Sequence, residues 1–347
     1  MSKLPELGFY ALGGHVESPR DMLAELALAE ELGLGTAFFS ERFNVKELAS
    51  LTGAAAAVTN EITIATAATN HNTRHPIVTA AWATTLHRLT GGRFVLGLGR
   101  GLAPQLKAFG LPPVTTAQLE DFIGLMRGLW RGETIQDHAG PAGTYPTLRL
   151  DPSFDETIPI GLTAFGPATL ALAGRAADVV ILHTYFADET VRRCVETVRR
   201  AAEEAGRDPA AVKVWACYAT VPDYLPVEVQ LKRTVARLAT YLQVYGDLLV
   251  KTNNWDAAVL QKFRDDPVVS GLSGWADAVA TPAQIEHIAD ILPDEWLAPA
   301  ATGSAQRCAQ KIDAQFDLGV DGVIMHCSTP QDLTAVVAAY SSAQAAR

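Results

Sequence analysis

Four titratable side chains, Glu41, His71, His183 and His326, each stand at or just beyond the end of a short apolar run. Each type can hold or pass a proton near neutral pH, and each also serves as a buried hydrogen-bonding residue; both uses stay open at this point. The same run ends carry glycines, hydroxyls, amides and aromatic rings. They are Gly13, Gly14 and His15; Arg42, Phe43 and Asn44; Ala67, Ala68, Thr69, Asn70; Gly99, Arg100, Gly101; Ala164, Phe165, Gly166, Pro167; Thr184 and Tyr185; Tyr218 and Thr220; and Cys327.

That inventory excludes several chemistries. No Lys stands at these run ends, which argues against a Schiff-base enzyme. There is no H-x-H and no carboxylate cluster, and Cys194, Cys217, Cys308 and Cys327 form no C-x-x-C pair, so no metal is expected. No pair of acids is placed for glycoside hydrolysis. A mouth of Gly, Thr, Asn, His and apolar groups suits an organic cofactor that carries the hard chemistry itself.

Two glycine features bear on such a cofactor. Gly97, Gly99 and Gly101 are spaced G-x-G-x-G with Pro104 soon after, which is not the dinucleotide fingerprint G-x-G-x-x-G. They let backbone N–H groups come close to a ring or a phosphate. Gly166-Pro167 reads as the start of a helix, with Pro at its first position. The free N–H groups there can bind an anion or can belong to a plain helix cap.

The elements that position these residues follow from patterning. Eight apolar runs, at 7–12, 36–40, 62–66, 94–99, 158–163, 178–183, 212–221 and 320–326, read as strands buried on both faces. Helical patterns lie between them at 45–59, 75–89, 116–131, 167–173, 189–205, 304–318 and 329–345. A first helix is expected to open at Ser18-Pro19 and close at Gly33. Eight strands each followed by a helix make an α/β fold, a (β/α)8 TIM barrel, with its site at the carboxyl ends of the strands. Residues 223–300 show no strand and read as a helical insertion between strand seven and the last helix–strand–helix unit. The expectation is therefore one domain over 1–347 that contains this insertion.

The chain has 347 residues, 48% of them hydrophobic, which is ample for a core. Its 28 basic against 38 acidic residues give a net charge of −10. That balance argues against nucleic acid and against an anionic membrane surface as partners. The longest charge-free stretch, between Glu156 and Arg175, is broken by Pro159, Gly161, Gly166 and Pro167 and is not a membrane span. With no apolar leader at the N-terminus, a soluble cytoplasmic protein acting on a small molecule is expected.

The motifs TNHNTRHP at 69–76 and TLHRLTGGRFVLGLGRG at 85–101 resemble those of the bacterial-luciferase-like superfamily. AFGP at 164–167, LALAG at 170–174, Ala177-Asp178 and DLGVD at 317–321 continue the likeness in order. Within the superfamily the chain looks like the branch that uses the deazaflavin coenzyme F420. The resemblance covers nearly the whole chain.

This resemblance implies a barrel, usually in a homodimer, that holds the tricyclic ring in its mouth. It implies a cis peptide between Ala67 and Ala68 against the ring. Glu41, Thr69, Arg100 and Gly101 would contact the ring or its side chain, and Ala164, Phe165, Gly166 and Pro167 would hold the coenzyme, its phosphate lying at Gly166 and Pro167. The chain departs from its sugar-phosphate-oxidising relatives: Arg42 stands where they carry His, and Leu102 where they carry Glu. The insertion also sets it apart from the methylene-tetrahydromethanopterin reductase branch.

The expected reaction is hydride transfer between F420 and a small organic substrate, such as an alcohol, ketone or activated alkene. An FMN-dependent monooxygenase is the alternative of the same fold, and a non-catalytic flavin- or deazaflavin-binding barrel the alternative of another class. Glu41, His71 and His183 are the candidate catalytic groups. Arg42, Phe43, Tyr185, Tyr218 and His326 are the candidate substrate contacts. Arg42, Arg74 and Arg100 are expected to converge on the anionic coenzyme.

Overall fold

The computed structural model describes residues 3–43 and 45–346; Asn44 lies outside them. The first strands are β1 (Leu4–Tyr10), β2 (Leu34–Phe39), β3 (Thr63–Thr66) and β4 (Phe94–Leu98). Then come a hairpin of β5 (Ile135–Gly140) and β6 (Gly143–Leu148), followed by β7 (Ile160–Thr163), β8 (Val179–Ile181), β9 (Lys213–Pro222), β10 (Ala300–Gly303) and β11 (Gly322–His326). Strands β1, β2, β3, β4, β7, β8, β9 and β11 pair in parallel in that order. Pairing of β11 with β1 closes them into the eight-stranded barrel.

Helices α1 (Asp21–Glu31), α2 (Leu48–Val58), α3 (Pro76–Leu89), α4 (Ala103–Ala108), α5 (Thr116–Trp130), α6 (Pro167–Ala176) and α7 (Asp188–Glu204) follow the first six barrel strands. Between β9 and β10 the chain is helical. It runs through α8 (Val227–Leu231), a π-helical turn at Lys232–Ala236, α9 (Arg237–Asn253), α10 (Ala257–Asp265), α11 (Pro267–Ser270), α12 (Ala276–Val279), α13 (Pro282–Ile291) and α14 (Asp294–Leu297). Helices α15 (Ala305–Phe316) and α16 (Pro330–Ala345) flank β11. No helix among the described residues is long and apolar enough to cross a membrane.

Strand residues alternate between two apolar layers, as side chains on successive strand positions must. Phe38, Ala65, Ile181, Trp215 and Ile324, with Tyr10, Val95 and Val179 beside them, fill the barrel. Leu7, Phe9, Phe39, Ile64, Leu96, Leu162 and Val323 face outward into the larger layer beneath the helices. The Trp215 ring occupies the barrel interior so fully that a Cβ on Gly322 would lie 2.5 Å from it.

All eight expected strands are present, their ends shifted by a few residues. Three features differ from expectation. The β5–β6 hairpin has mostly exposed or half-exposed residues and so carries no apolar run to mark it. Strand β10 is four residues long and joins the sheet only by pairing with the end of β9, at Ala219–Pro222. Helix α1 starts at Asp21, with Ser18 and Pro19 in a turn before it, where the Ser18 hydroxyl accepts from Arg20 N–H.

Candidate active site at the barrel mouth

The loop after β3 is tied to both neighbouring strands. Ala67 N–H donates to Phe39 O, Glu41 N–H to Ala68 O and Thr69 N–H to Gly97 O, and Gly99 N–H returns to Thr69 O. Within this weave the Ala67–Ala68 peptide is cis, as the resemblance implied. Strand β4 comes so close that a Cβ on Gly97 would sit 1.7 Å from Thr66 O, which is why that position tolerates only glycine. The Thr66 hydroxyl fills the remaining gap: it accepts from Gly97 N–H at 2.7 Å and donates to Gly97 O at 2.8 Å.

Beside this weave lies a charge network. Glu41 Oε2 accepts from the Thr69 hydroxyl and from Arg74 Nη1, both at 2.8 Å, and Oε1 accepts from Leu48 N–H at 3.1 Å. Arg74 also pairs with Glu47, which caps α2, and its guanidinium lies 5.2 Å above the Trp82 ring. Burial opposes ionisation of Glu47, but hydrogen bonds from Ser50 and Arg74 hold its carboxyl down at about 2. Arg74 is therefore neutralised internally. Of the other two arginines, Arg42 is exposed and bonds to Glu41 O, while Arg100, also exposed, donates through Nε to Val114 O.

After β7, Ala164 is buried and Gly166 caps α6 without any side-chain cap, with Pro167 at the first helical position. A Cβ on Gly166 would meet nothing within 4 Å, so the helix start faces open space. Phe165 stacks against His183 at 4.6 Å between ring centroids.

His183 follows β8 and is half-buried. Nδ1 lies 2.8 Å from Thr184 O, and Nε2 lies 2.7 Å from the Tyr245 hydroxyl. Burial pulls its pKa down to about 4, with the Thr184 carbonyl opposing. Thr184 bridges onward to Cys217 Sγ at 3.1 Å and to His326 Nδ1 at 3.4 Å, and His326 packs edge-on to Tyr10 at 5.2 Å. Burial, followed by the positive charges of Arg237 and Arg42, pushes His326 well below the usual imidazole range. Three mouth loops carry left-handed non-glycine residues, Leu12, Tyr185 and Cys327, the kind of local strain that gathers at functional sites.

The remaining sequence candidates fall elsewhere. His71 turns away from this group and packs on Phe122 of α5 at 5.6 Å, its buried Nδ1 without a partner and its pKa lowered by burial. Tyr218 lies in the outer layer, one residue out of step with the inward Cys217. Tyr185 is fully buried and donates to Thr234 O in the π-turn at 2.9 Å. Phe43 is 48% exposed and meets the equally exposed Phe109 edge-on at 5.2 Å.

Helix α9 supplies what the strand ends do not reveal. Arg237, Tyr241 and Tyr245 recur every four residues and so share one face. That face lies over the mouth: Tyr241 is 4.8 Å from the His183 ring, and Arg237 Nη1 is 2.7 Å from Asp277 of α12. Lys46, also unmarked in sequence, bonds to the carbonyls of Leu12 and Gly14 and fixes the loop after β1. The i, i+4, i+8 spacing was a usable signal for α9; nothing local pointed to Lys46.

Known proteins supply a second line of observation. The pattern of the luciferase-like monooxygenase family matches residues 6–322. The 5,10-methylenetetrahydromethanopterin reductase of Methanolobus tindarius is 25% identical over 88% of this chain and 91% of its own. An F420-dependent glucose-6-phosphate dehydrogenase of Beutenbergia cavernae is 27% identical over 89% of this chain and 88% of its own. The coenzyme F420 dependent tetrahydromethanopterin reductase of Methanopyrus kandleri superposes with a TM-score of 0.79 at 17% identity, over 99% of both chains. That last overlap includes the 223–300 segment, so the insertion does not separate this chain from the reductase fold, contrary to the sequence expectation. The chain belongs to the luciferase-like monooxygenase family and is an enzyme.

Proposed function

We propose that this enzyme transfers a hydride between coenzyme F420 and a small, uncharged organic substrate, an alcohol or its ketone, or an activated alkene. The observation that carries this reading is the mouth itself: the neutral imidazole of His183 and aromatic rings beside an uncapped helix start that opens at Gly166. The F420-dependent activity named for the Beutenbergia relative supports the choice of coenzyme.

The residues present fit such a group. A phosphate can take the N–H groups of Gly166 and Ala168 and the positive end of α6, with Pro167, which has no N–H, holding the first turn. The small Ala67 and Ala68 and the Gly99-Arg100-Gly101 backbone leave room for a flat ring. When bound, the deazaflavin would supply or accept the hydride. The protein's own part is to orient both reactants, exclude water and handle the accompanying proton. Glu41 and Thr69, committed to Arg74, shape the Ala67–Ala68 loop. Arg42 and His326 bound the space left for substrate. A homodimer belongs to the same proposal and is checked by light scattering during gel filtration.

The test is anaerobic incubation of the purified enzyme with F420 and a panel of alcohols, followed by loss of deazaflavin absorbance. Reduction of F420 by at least one alcohol is expected. No reduction by any alcohol, and no oxidation of reduced F420 by the matching ketones or by activated alkenes, would overturn the proposal.

A further inference from the structure

Tyr245 sits where α9 departs from helical geometry, at φ −149° and ψ 35°, and this departure accompanies the placing of its hydroxyl 2.7 Å from His183 Nε2. The partner on the other side of the imidazole settles the direction of that bond. His183 Nδ1 faces a backbone carbonyl, Thr184 O, at 2.8 Å, and a carbonyl only accepts. Nδ1 therefore carries the hydrogen, Nε2 carries the lone pair, and the Tyr245 O–H is the donor. Both rings pack on Phe165, at 4.6 and 5.5 Å between centroids, next to the Gly166-Pro167 start of α6. Three other candidate proton carriers are occupied or turned away. Glu41 is bonded through both oxygens, His71 faces α5, and Tyr185 donates to Thr234 O.

We propose that Tyr245 exchanges the proton with the substrate's oxygen, and that His183 is the positioning residue that orients the phenol and holds the proton it passes on. This rests on the hydride-transfer reading above. In alcohol oxidation the substrate O–H proton moves to the Tyr245 oxygen while the Tyr245 proton moves to His183 Nε2. A bound deazaflavin would take the hydride from the substrate carbon as the C=O bond forms. The imidazolium so made keeps its Nδ1–H on Thr184 O. Ketone reduction returns both protons along the same line.

At rest the Nε2 lone pair accepts the Tyr245 O–H, which is the arrangement a relay from Tyr245 to His183 needs. Burial keeps His183 neutral near pH 7. The titratable and charged groups around the pair include Tyr241 on α9, His326 after β11, Cys217 on β9, and Arg42 and Arg237, the last three of which act on Tyr245.

The test compares the wild type, Tyr245→Phe and His183→Gln by three readouts. These are F420 affinity by fluorescence, kcat and KM with the fastest of isopropanol, cyclohexanol and benzyl alcohol, and histidine-ring nitrogen NMR of the coenzyme-free protein. Gln at 183 still accepts from Tyr245 but cannot take a proton, so it separates relay from packing. The expectation is an Nδ1–H tautomer at His183, an Nε2 resonance that moves in Tyr245→Phe, and a loss in kcat of about a hundredfold or more in both variants. F420 affinity should stay within about threefold of wild type, well below the ~1.4 kcal/mol of a tenfold change. An Nε2–H tautomer, or His183→Gln turning over like wild type, overturns the relay and leaves the hydride-transfer reading intact. A wild type that binds no F420 overturns both; one that binds F420 but oxidises none of the three alcohols overturns the relay, and the hydride-transfer reading then stands or falls on the ketones and activated alkenes.

Discussion

Arg74 Nη1 donates to Glu41 Oε2 over 2.8 Å, and the two side chains are 15% and 2% exposed. The pair lies beneath the loop that carries the cis peptide, so its first duty is to hold that loop. Removing one partner leaves the other as an unpaired buried charge, which typically costs about 3–5 kcal/mol. Arg74→Met is expected to lower the unfolding free energy measured in urea by an amount in that range, and Glu41→Gln by less because the amide still accepts from Thr69. Equal stability of Arg74→Met and wild type would remove the pair from the account.

Glu25 of α1 accepts from Leu12 N–H at 2.7 Å, and burial raises its carboxyl from 4.5 to about 7. Between those values the folded chain keeps a proton that the unfolded chain has lost. The stability this group contributes is therefore fully present below pH 4.5 and is lost as pH rises through about 7. Glu25→Gln should match wild type in urea at pH ~5 and exceed it at pH ~8, by on the order of 3 kcal/mol from the linkage. The same difference at both pH values would contradict this.

Gly166 has open space where a Cβ would stand, so substitution there tests ligand binding rather than folding. Gly166→Ala should leave F420 affinity near wild type. Gly166→Asp places a negative charge at the helix start and should weaken F420 binding about tenfold or more, while the melting temperature changes little. Unchanged affinity in the Asp variant would take the α6 terminus out of the coenzyme site.

Tyr218 and Cys217 are adjacent in β9 but face opposite layers. Tyr218→Phe should leave kcat, KM and F420 affinity at wild-type values. A change in KM larger than about threefold would place Tyr218 at the substrate after all.

The barrel was legible because its strands are continuous apolar runs such as Phe94–Leu98, which two covered faces require. The cis Ala67–Ala68 bond was reached only through the resemblance, since two alanines after a strand carry no physical mark of their own. Which strand residues face the mouth was less legible. A one-residue step decides between Cys217 and Tyr218, and no alternation of polarity records it in a strand buried on both sides. His71 and His183 look alike in sequence, yet one packs on α5 and the other on α9. The shared face of Arg237, Tyr241 and Tyr245 was legible in their spacing, but its docking over His183, some sixty residues away, was not, because such a contact leaves no local pattern.

The central claim, that this mouth holds a deazaflavin, is tested most directly by titrating the wild-type protein with F420 and, in parallel, with FMN, each followed by fluorescence. Saturable micromolar binding of F420, with FMN binding weakly or not at all, is the predicted result. Micromolar binding of FMN and none of F420 would contradict the account.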